Sequence, residues 1–167
     1  MAVPDLSFLK NRKTLLITMV CHGNICRSPM AAAVLHNKVS KIKEPTIVVD
    51  SAGTSHWHVG QGANPPSQRV WERAGYRYDH RASQMNYSRL VAADLVLVMD
   101  ESNHYEVSKL VTNDGEEQKI FYLRQFDATQ PESLIVPDPY SLPDSAFELV
   151  LEMVEKATDG LIAELLR

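Results

Sequence analysis

Apolar residues gather in four short runs along the chain, separated by longer mixed stretches. Residues 14–20 (TLLITMV) form the first run, which has strand length and ends at Cys21. Ser28 then offers a helix cap, Pro29 fits a first helical turn, and residues 30–39 are rich in helix formers. Residues 46–50 (TIVVD) are β-branched and predict a second buried strand. Residues 65–74 predict a helix stopped at Gly75. Residues 95–99 (LVLVM) predict a third strand with a helical stretch near 102–111 behind it, and residues 120–123 a fourth, shorter strand. Pro131, Pro137, Pro139 and Pro143 make residues 127–143 a long loop. Ser145 and Glu148 have capping-box spacing before a last helix, in which Phe147, Leu151, Val154, Leu161 and Leu165 form one apolar face. Gly160 weakens the continuity of that helix by about 1 kcal/mol against alanine.

Strands that alternate with helices predict an α/β fold: one open, parallel, four-stranded sheet with helices on both faces. No repeat or low-complexity segment divides the chain, so residues 1–167 form one domain, with 1–12 expected as a loose N-terminal extension. In such sheets ligands sit beyond the carboxyl ends of the strands, and Cys21 falls at that edge.

Composition narrows the function. The 167 residues are 44% hydrophobic and 23% charged, an ordinary globular balance, and the net charge of −4 leaves no basic footprint for nucleic acid. Any bound anion must therefore be held by a local site. Cys21 and Cys26 are the only cysteines. Their C-x4-C spacing closes too small a loop to staple a fold and lacks the second pair of a structural zinc site. This usage fits a reducing compartment. Lys10, Arg12 and Lys13 before an apolar run superficially resemble an export signal. That run has seven residues, and Met19-Val20 are not the small residues a cleavage site needs. No run has transmembrane length. A cytoplasmic, monomeric protein is expected, with signal-less export left open.

The segment Cys21-His22-Gly23-Asn24-Ile25-Cys26-Arg27-Ser28 runs from a strand end to a helix start. A helix N-terminus leaves its first N–H groups unpaired and carries about half a positive charge. A loop curled there forms an anion nest. Gly23 and Asn24 tolerate the positive φ such a curl demands, and Arg27 offers a planar fork for two phosphate oxygens. Helix termini and nearby cations also favour thiolate over thiol, so the cradle that holds phosphate would present Cys21 as a charged nucleophile, with Ser28 donating to the sulfur. The bland reading is a buried structural cysteine before an ordinary strand-to-helix turn. A nucleotide P-loop is excluded, since no G-x4-G-K-[ST] occurs. Asp138, between Pro137 and Pro139, is either an acid held over a cleft or part of a plain proline-rich turn.

These residues resemble the low-molecular-weight protein tyrosine phosphatases. The resemblance spans nearly the whole chain and rests on VCHGNICRSPMAAAVL, VDSAGTS, MDES and DPYSLPDSAF. GTSHWHVG is closest to bacterial members. It implies a protein-tyrosine phosphatase acting on phosphotyrosine-containing proteins, with no metal or organic cofactor, no nucleic acid and no membrane. Cys21 would attack phosphorus while Asp138 protonates the leaving oxygen. Asp138 would then activate water against the phosphocysteine, and Arg27 would stabilise the equatorial charge.

By the same resemblance His22, Gly23, Asn24, Ile25, Cys26 and Ser28 line the phosphate loop, and Trp57 and Tyr140 form aromatic walls. Ser51 and His80 pin the strained backbone of Asn24. Cys26 matches a second loop cysteine able to bridge Cys21 on oxidation, or is a plain buried thiol. Two departures touch the cleft rim: Ser141, where many relatives have a second tyrosine, and His22, where Leu or Thr is usual. His56 and His58 alternate like a metal pair but read better as a solvated loop.

Three alternatives remain beside this reading. A thiol-linked arsenate reductase needs relay cysteines beyond Cys26, and there are none. A protein-arginine phosphatase of the same family tends to carry Thr where Ile25 stands. A catalytically silent phosphate-binding module is disfavoured by the joint presence of Cys21, Arg27 and Asp138.

Overall fold

The computed structural model describes residues 2–167. Four parallel strands, β1 (Thr14–Cys21), β2 (Thr46–Gly53), β3 (Leu95–Val98) and β4 (Ile120–Tyr122), lie in the order β2-β1-β3-β4. β1 and β2 pair in register from Thr14 opposite Thr46 to Cys21 opposite Gly53, and Val20 is paired with Val98 on the other side. The chain therefore leaves the sheet at Cys21 in its middle, at the carboxyl edge, where strand order reverses about β1.

Helices α1 (Arg27–Val39), α2 (Pro65–Arg73) and α6 (Asp144–Leu165) cover one face of the sheet. There Leu15, Ile17, Met19, Leu95 and Leu97 join Met30, Leu35, Trp71, Phe147 and Val154 in one core. Helices α3 (Tyr87–Ala92) and α4 (Glu101–Ser108) cover the other face, where Val20, Val96 and Val98 meet Leu90 and Val107. A short helix α5 (Asp114–Glu117) leads into β4. Burial on both faces explains why β1 and β3 read as continuous apolar runs rather than alternating ones.

Four expectations change. Within the expected N-terminal extension, a 3-10 turn at Ser7–Leu9 seats Leu6 and Leu9, both 5% exposed or less, in the larger core. Apolar side chains docked under the sheet tie down residues that composition alone leaves unassigned. The Ser145–Glu148 capping box does not form. α6 begins two residues earlier, at Asp144, capped by Pro143, whose missing N–H cannot complete the reciprocal bond, and Asp144 instead pairs with Arg69 and Arg73 at 2.9 Å each. Ser28 does not cap α1, which starts at Arg27 behind Cys26, because its hydroxyl is engaged by Cys21 and Asn24. The fourth change concerns Gly160, which does not interrupt α6.

A Cβ built on Gly160 would lie 1.7 Å from the Phe126 carbonyl oxygen. The missing side chain is what lets α6 close onto the turn at Leu123–Phe126. Helix propensity alone predicts that Gly160→Ala stabilises by about 1 kcal/mol. The contact reverses the sign, because the obstructing atom is backbone. A loss of about 1–3 kcal/mol is expected, from forced displacement of one element, measured as a lower urea midpoint with unchanged slope.

Candidate active site

The segment from Cys21 to Ser28 wraps the base of a cleft of about 290 Å³. The cleft is lined by Cys21, His22, Gly23, Ile25, Cys26, Arg27, Trp57, His58, Asp138 and Tyr140. Cys21 forms its floor, with 2% of its surface exposed. Among the described residues no protein acceptor takes the backbone N–H groups of residues 23–28. Unpaired amides at a helix start are what an anion nest requires. The loop can lie this close to the sheet because Gly53 has no side chain: a Cβ there would sit 2.7 Å from the His22 carbonyl oxygen and 3.1 Å from the Asn24 amide nitrogen.

Asn24 takes the left-handed conformation with φ of 56°, which costs a non-glycine residue energy unless its surroundings hold it. Here they do. Its Nδ2 donates to Ser28 Oγ (2.8 Å) and Ser51 Oγ (2.9 Å), its Oδ1 accepts from the Ser83 N–H (2.9 Å), and its carbonyl accepts from His80 Nε2 (2.6 Å). Ser28 Oγ lies 2.9 Å from Cys21 Sγ. Since Asn24 already donates to that hydroxyl, its proton is directed to the sulfur. The Asn24 and Ser28 side chains therefore stand behind the loop and are not among those lining the cleft. Both are fully buried and act from behind the loop.

Arg27, 3% exposed, heads α1 and turns its guanidinium across the cleft base. Nη1 donates to Asp100 Oδ2 (2.7 Å) and to the Val136 carbonyl (3.0 Å), while Nη2 lies 3.9 Å from Asp138 Oδ2. Burial works against its charge, but Cys21, Asp100 and Asp138 outweigh that and raise its pKa further. Asp100 also caps α4 through its other oxygen, which accepts from Asn103 N at 2.8 Å. Asp138 stands at the rim with about half its side chain exposed, its Oδ1 accepting from the Tyr140 N–H at 3.1 Å. Trp57 and Tyr140 are exposed at the mouth, and His22 meets Trp57 edge-on at 5.2 Å between ring centroids.

Both cysteines are free and buried. Burial pushes the Cys26 thiol up to about 11, assisted by Cys21 and Asp138 and opposed by a 3.3 Å hydrogen bond from Asn64 and by Arg27.

A family model described as low molecular weight phosphotyrosine protein phosphatase matches residues 16–167. The chain belongs to that family. Among named relatives, a low molecular weight protein-tyrosine-phosphatase of Streptomyces coelicolor is 41% identical over 152 residues, covering 90% of this chain and 93% of the relative. Low molecular weight protein-tyrosine phosphatase A of Mycobacterium tuberculosis is 39% identical over 148 residues, covering 87% and 88%. Among solved structures, a protein tyrosine phosphatase from Entamoeba histolytica superposes with a TM-score of 0.84 at 33% identity, covering 90% of this chain and 96% of that one. The YwlE arginine phosphatase from Geobacillus stearothermophilus superposes at 0.79 with 30% identity, covering 91% and 93%.

Several residues of this phosphatase-family cleft escape sequence reading. Asp100 lies within the MDES motif but carries no mark of its link to Arg27. Val136, Asn64 and Ser83 contribute through the backbone or one amide. His58, expected in a solvated loop, is half-buried against Gly23 and lines the cleft, with Nδ1 3.0 Å from Gln61 Oε1. His56 is exposed, as expected.

His80 predicts a pH dependence of stability for this family member. Burial lowers its pKa, with the Asn24 carbonyl and Asp79 opposing. Unfolded histidine titrates near 6.5, so between the folded value and about 6.5 the unfolded chain binds more protons. His80's contribution is thus fully present above about pH 6.5 and is lost as pH falls through the window below it. The fall in urea midpoint between pH 7.5 and 5.5 is expected to be smaller in His80→Gln than in the unaltered protein.

Proposed function

We propose that this protein is a protein-tyrosine phosphatase that hydrolyses phosphotyrosine in proteins through a phosphocysteine intermediate. The observation that carries the proposal is one cleft uniting the Cys21 sulfur, unpaired loop amides, the Arg27 guanidinium and the Asp138 carboxyl between two aromatic walls. The domain so employed is the whole chain, residues 1–167.

In the first step the Cys21 sulfur attacks phosphorus and the bond to the tyrosine oxygen breaks, with Asp138 giving that oxygen a proton. In the second, Asp138 takes a proton from water as the water oxygen attacks the phosphorus, freeing phosphate and restoring the sulfur. Arg27 and the amides of residues 23–28 hold the three equatorial oxygens throughout, already oriented and without reorganisation. Asp100 and the Val136 carbonyl keep the Arg27 fork in place. Trp57 and Tyr140 flank a flat phenyl ring, and His22, Gly23, Ile25 and Cys26 form the cleft's inner surface. Among the described residues no helix is long and apolar enough to cross a membrane, and we place the substrates among phosphoproteins of the cytoplasm.

Relatives in this family include arginine phosphatases, so the substrate class needs a direct test. Ile25, half-buried in the cleft wall, presents a branched apolar surface that suits a phenyl ring better than a guanidinium with donors to satisfy. Hydrolysis rates of matched phosphotyrosine, phosphoserine and phosphoarginine peptides in EDTA are expected to favour phosphotyrosine strongly. Comparable rates on phosphoarginine would overturn the preference, and tight binding without turnover would favour a silent phosphate-binding module.

A further inference from the structure

We propose that Arg89, on α3 outside the cleft, is a positioning residue that holds the phosphate loop in its strained conformation. The inference rests on the reading of residues 21–28 as a phosphate cradle.

The cradle's shape depends on Asn24 staying at φ of 56°, and the Asn24 side chain is gripped by Ser51 and Ser83 at opposite ends. Ser83 lies in the segment between α2 and α3, whose backbone is tied to β2 by a single bridge of Gln84 to Gly53, while the Ser83 N–H is left to Asn24. Arg89 adds a side-chain restraint to that single bridge. Its Nη1 donates to Ser83 Oγ through a short hydrogen bond, while Nη2 donates to the Ser51 carbonyl (2.9 Å) and to Asp50 Oδ2 (3.1 Å). One guanidinium thus locks the two residues that hold Asn24 to each other.

The clamp extends to the strand that carries Cys21. The other Asp50 oxygen accepts from Thr18 Oγ1 at 2.5 Å, three residues before Cys21 on β1. Ser83 adds its own ties, with Oγ 3.2 Å from the Ser51 carbonyl and its carbonyl accepting from Gly53 N at 2.8 Å. The Arg89 side chain is 24% exposed and that of Asp50 39%, so this is a partly desolvated, multiply bonded pair, not a surface ion pair of little consequence. The planar fork matters: an ammonium group is a single point and cannot reach the Ser83 hydroxyl, the Ser51 carbonyl and the Asp50 carboxylate in the same fixed geometry. Arg89 touches none of the cleft-lining residues. Its influence on the chemistry passes through Ser83 and Ser51 to Asn24, and from there to the amides that would face phosphate.

The test uses inorganic phosphate binding by titration calorimetry, turnover of a phosphotyrosine peptide, and thermal midpoint, for Arg89→Leu and Arg89→Lys. Misplaced oxyanion donors cost roughly ten- to a hundred-fold, so Arg89→Leu is expected to weaken phosphate binding and lower kcat together by that factor. Arg89→Lys is expected to recover only part, and it carries the test if Arg89→Leu does not fold. A double-mutant cycle separates positioning from general stability. Asn24→Gly keeps access to positive φ but removes the amide, so in that background Arg89→Lys should cause no further loss of kcat or phosphate affinity. Additive losses would overturn the inference. So would Arg89 variants with a lowered thermal midpoint but unchanged phosphate affinity and kcat. Failure of the unaltered protein to bind phosphate or turn over the peptide would instead reject the cradle reading itself.

Discussion

Cys21→Ser is expected to abolish hydrolysis of aryl phosphates, a loss of about 10⁴-fold or more, the scale seen when an enzyme's nucleophile is removed. A serine oxygen at this position would keep its proton at neutral pH. The neighbouring Ser28 hydroxyl, which already accepts from Asn24, directs its own proton towards residue 21 instead of taking one away. Neither Cys26 nor a migrating nucleophile rescues the variant, because burial holds the Cys26 thiol up to about 11 and so protonated. The measurement is single-turnover release of phosphate from a phosphotyrosine peptide, paired with mass mapping after brief iodoacetamide treatment at neutral pH. Alkylation is expected at Cys21, suppressed by inorganic phosphate, and absent at Cys26. Residual turnover by the serine variant above a hundredth of the original rate would remove Cys21 from the mechanism.

The second large effect belongs to Asp138. Its backbone is confined by Pro139 to extended conformations, and the Tyr140 N–H fixes one carboxyl oxygen while the other points across the cleft to Arg27 at 3.9 Å. In the proposed mechanism this carboxyl at the cleft mouth would be the proton donor to the leaving oxygen. Loss of a general acid costs about 10²–10⁴-fold when the leaving oxygen needs the proton. Asp138→Asn should therefore suffer that loss with phosphotyrosine or phenyl phosphate and much less with a nitrophenyl ester, whose phenolate leaves unaided. A plot of log kcat against leaving-group acidity, measured for single-turnover phosphorylation, is expected to steepen in the variant. An equal loss across all esters would show that Asp138 only shapes the cleft.

Much of this protein is legible in its sequence because neighbouring residues carry the signal. β1 ends at Cys21 in a run of apolar residues and a stretch of helix formers follows, so the strand, the loop and the helix are legible from neighbouring residues, although α1 starts at Arg27 behind Cys26, two residues before the start that Ser28 and Pro29 suggest. Gly75 marks the end of α2 with a φ of 96°, and the proline cluster keeps residues 127–143 irregular. The short elements leave weaker marks. α3, α5 and the 3-10 turns span too few residues for a periodicity to emerge, and their existence depends on what they pack against. Gly160 shows the same limit from the other direction: its helix-weakening propensity is real, but the Phe126 carbonyl that requires it lies more than thirty residues away in the chain.

The chain's own order of residues determined the alternation of strands and helices, the placement of Cys21 at a strand end, and the short connection from there to a helix start. Those are consequences of local preference and hydrophobic pattern, which act between near neighbours. Only the tertiary structure decided that Asp100 and Val136 hold Arg27, that Asp138 lines the same cleft as Cys21 from more than a hundred residues away, and that Arg89 braces Asn24 through Ser83 and Ser51. Such pairings arise when the sheet sets its strands side by side. Hydrogen bonds between side chains depend on positions in space to within half an ångström, and linear spacing carries no record of that.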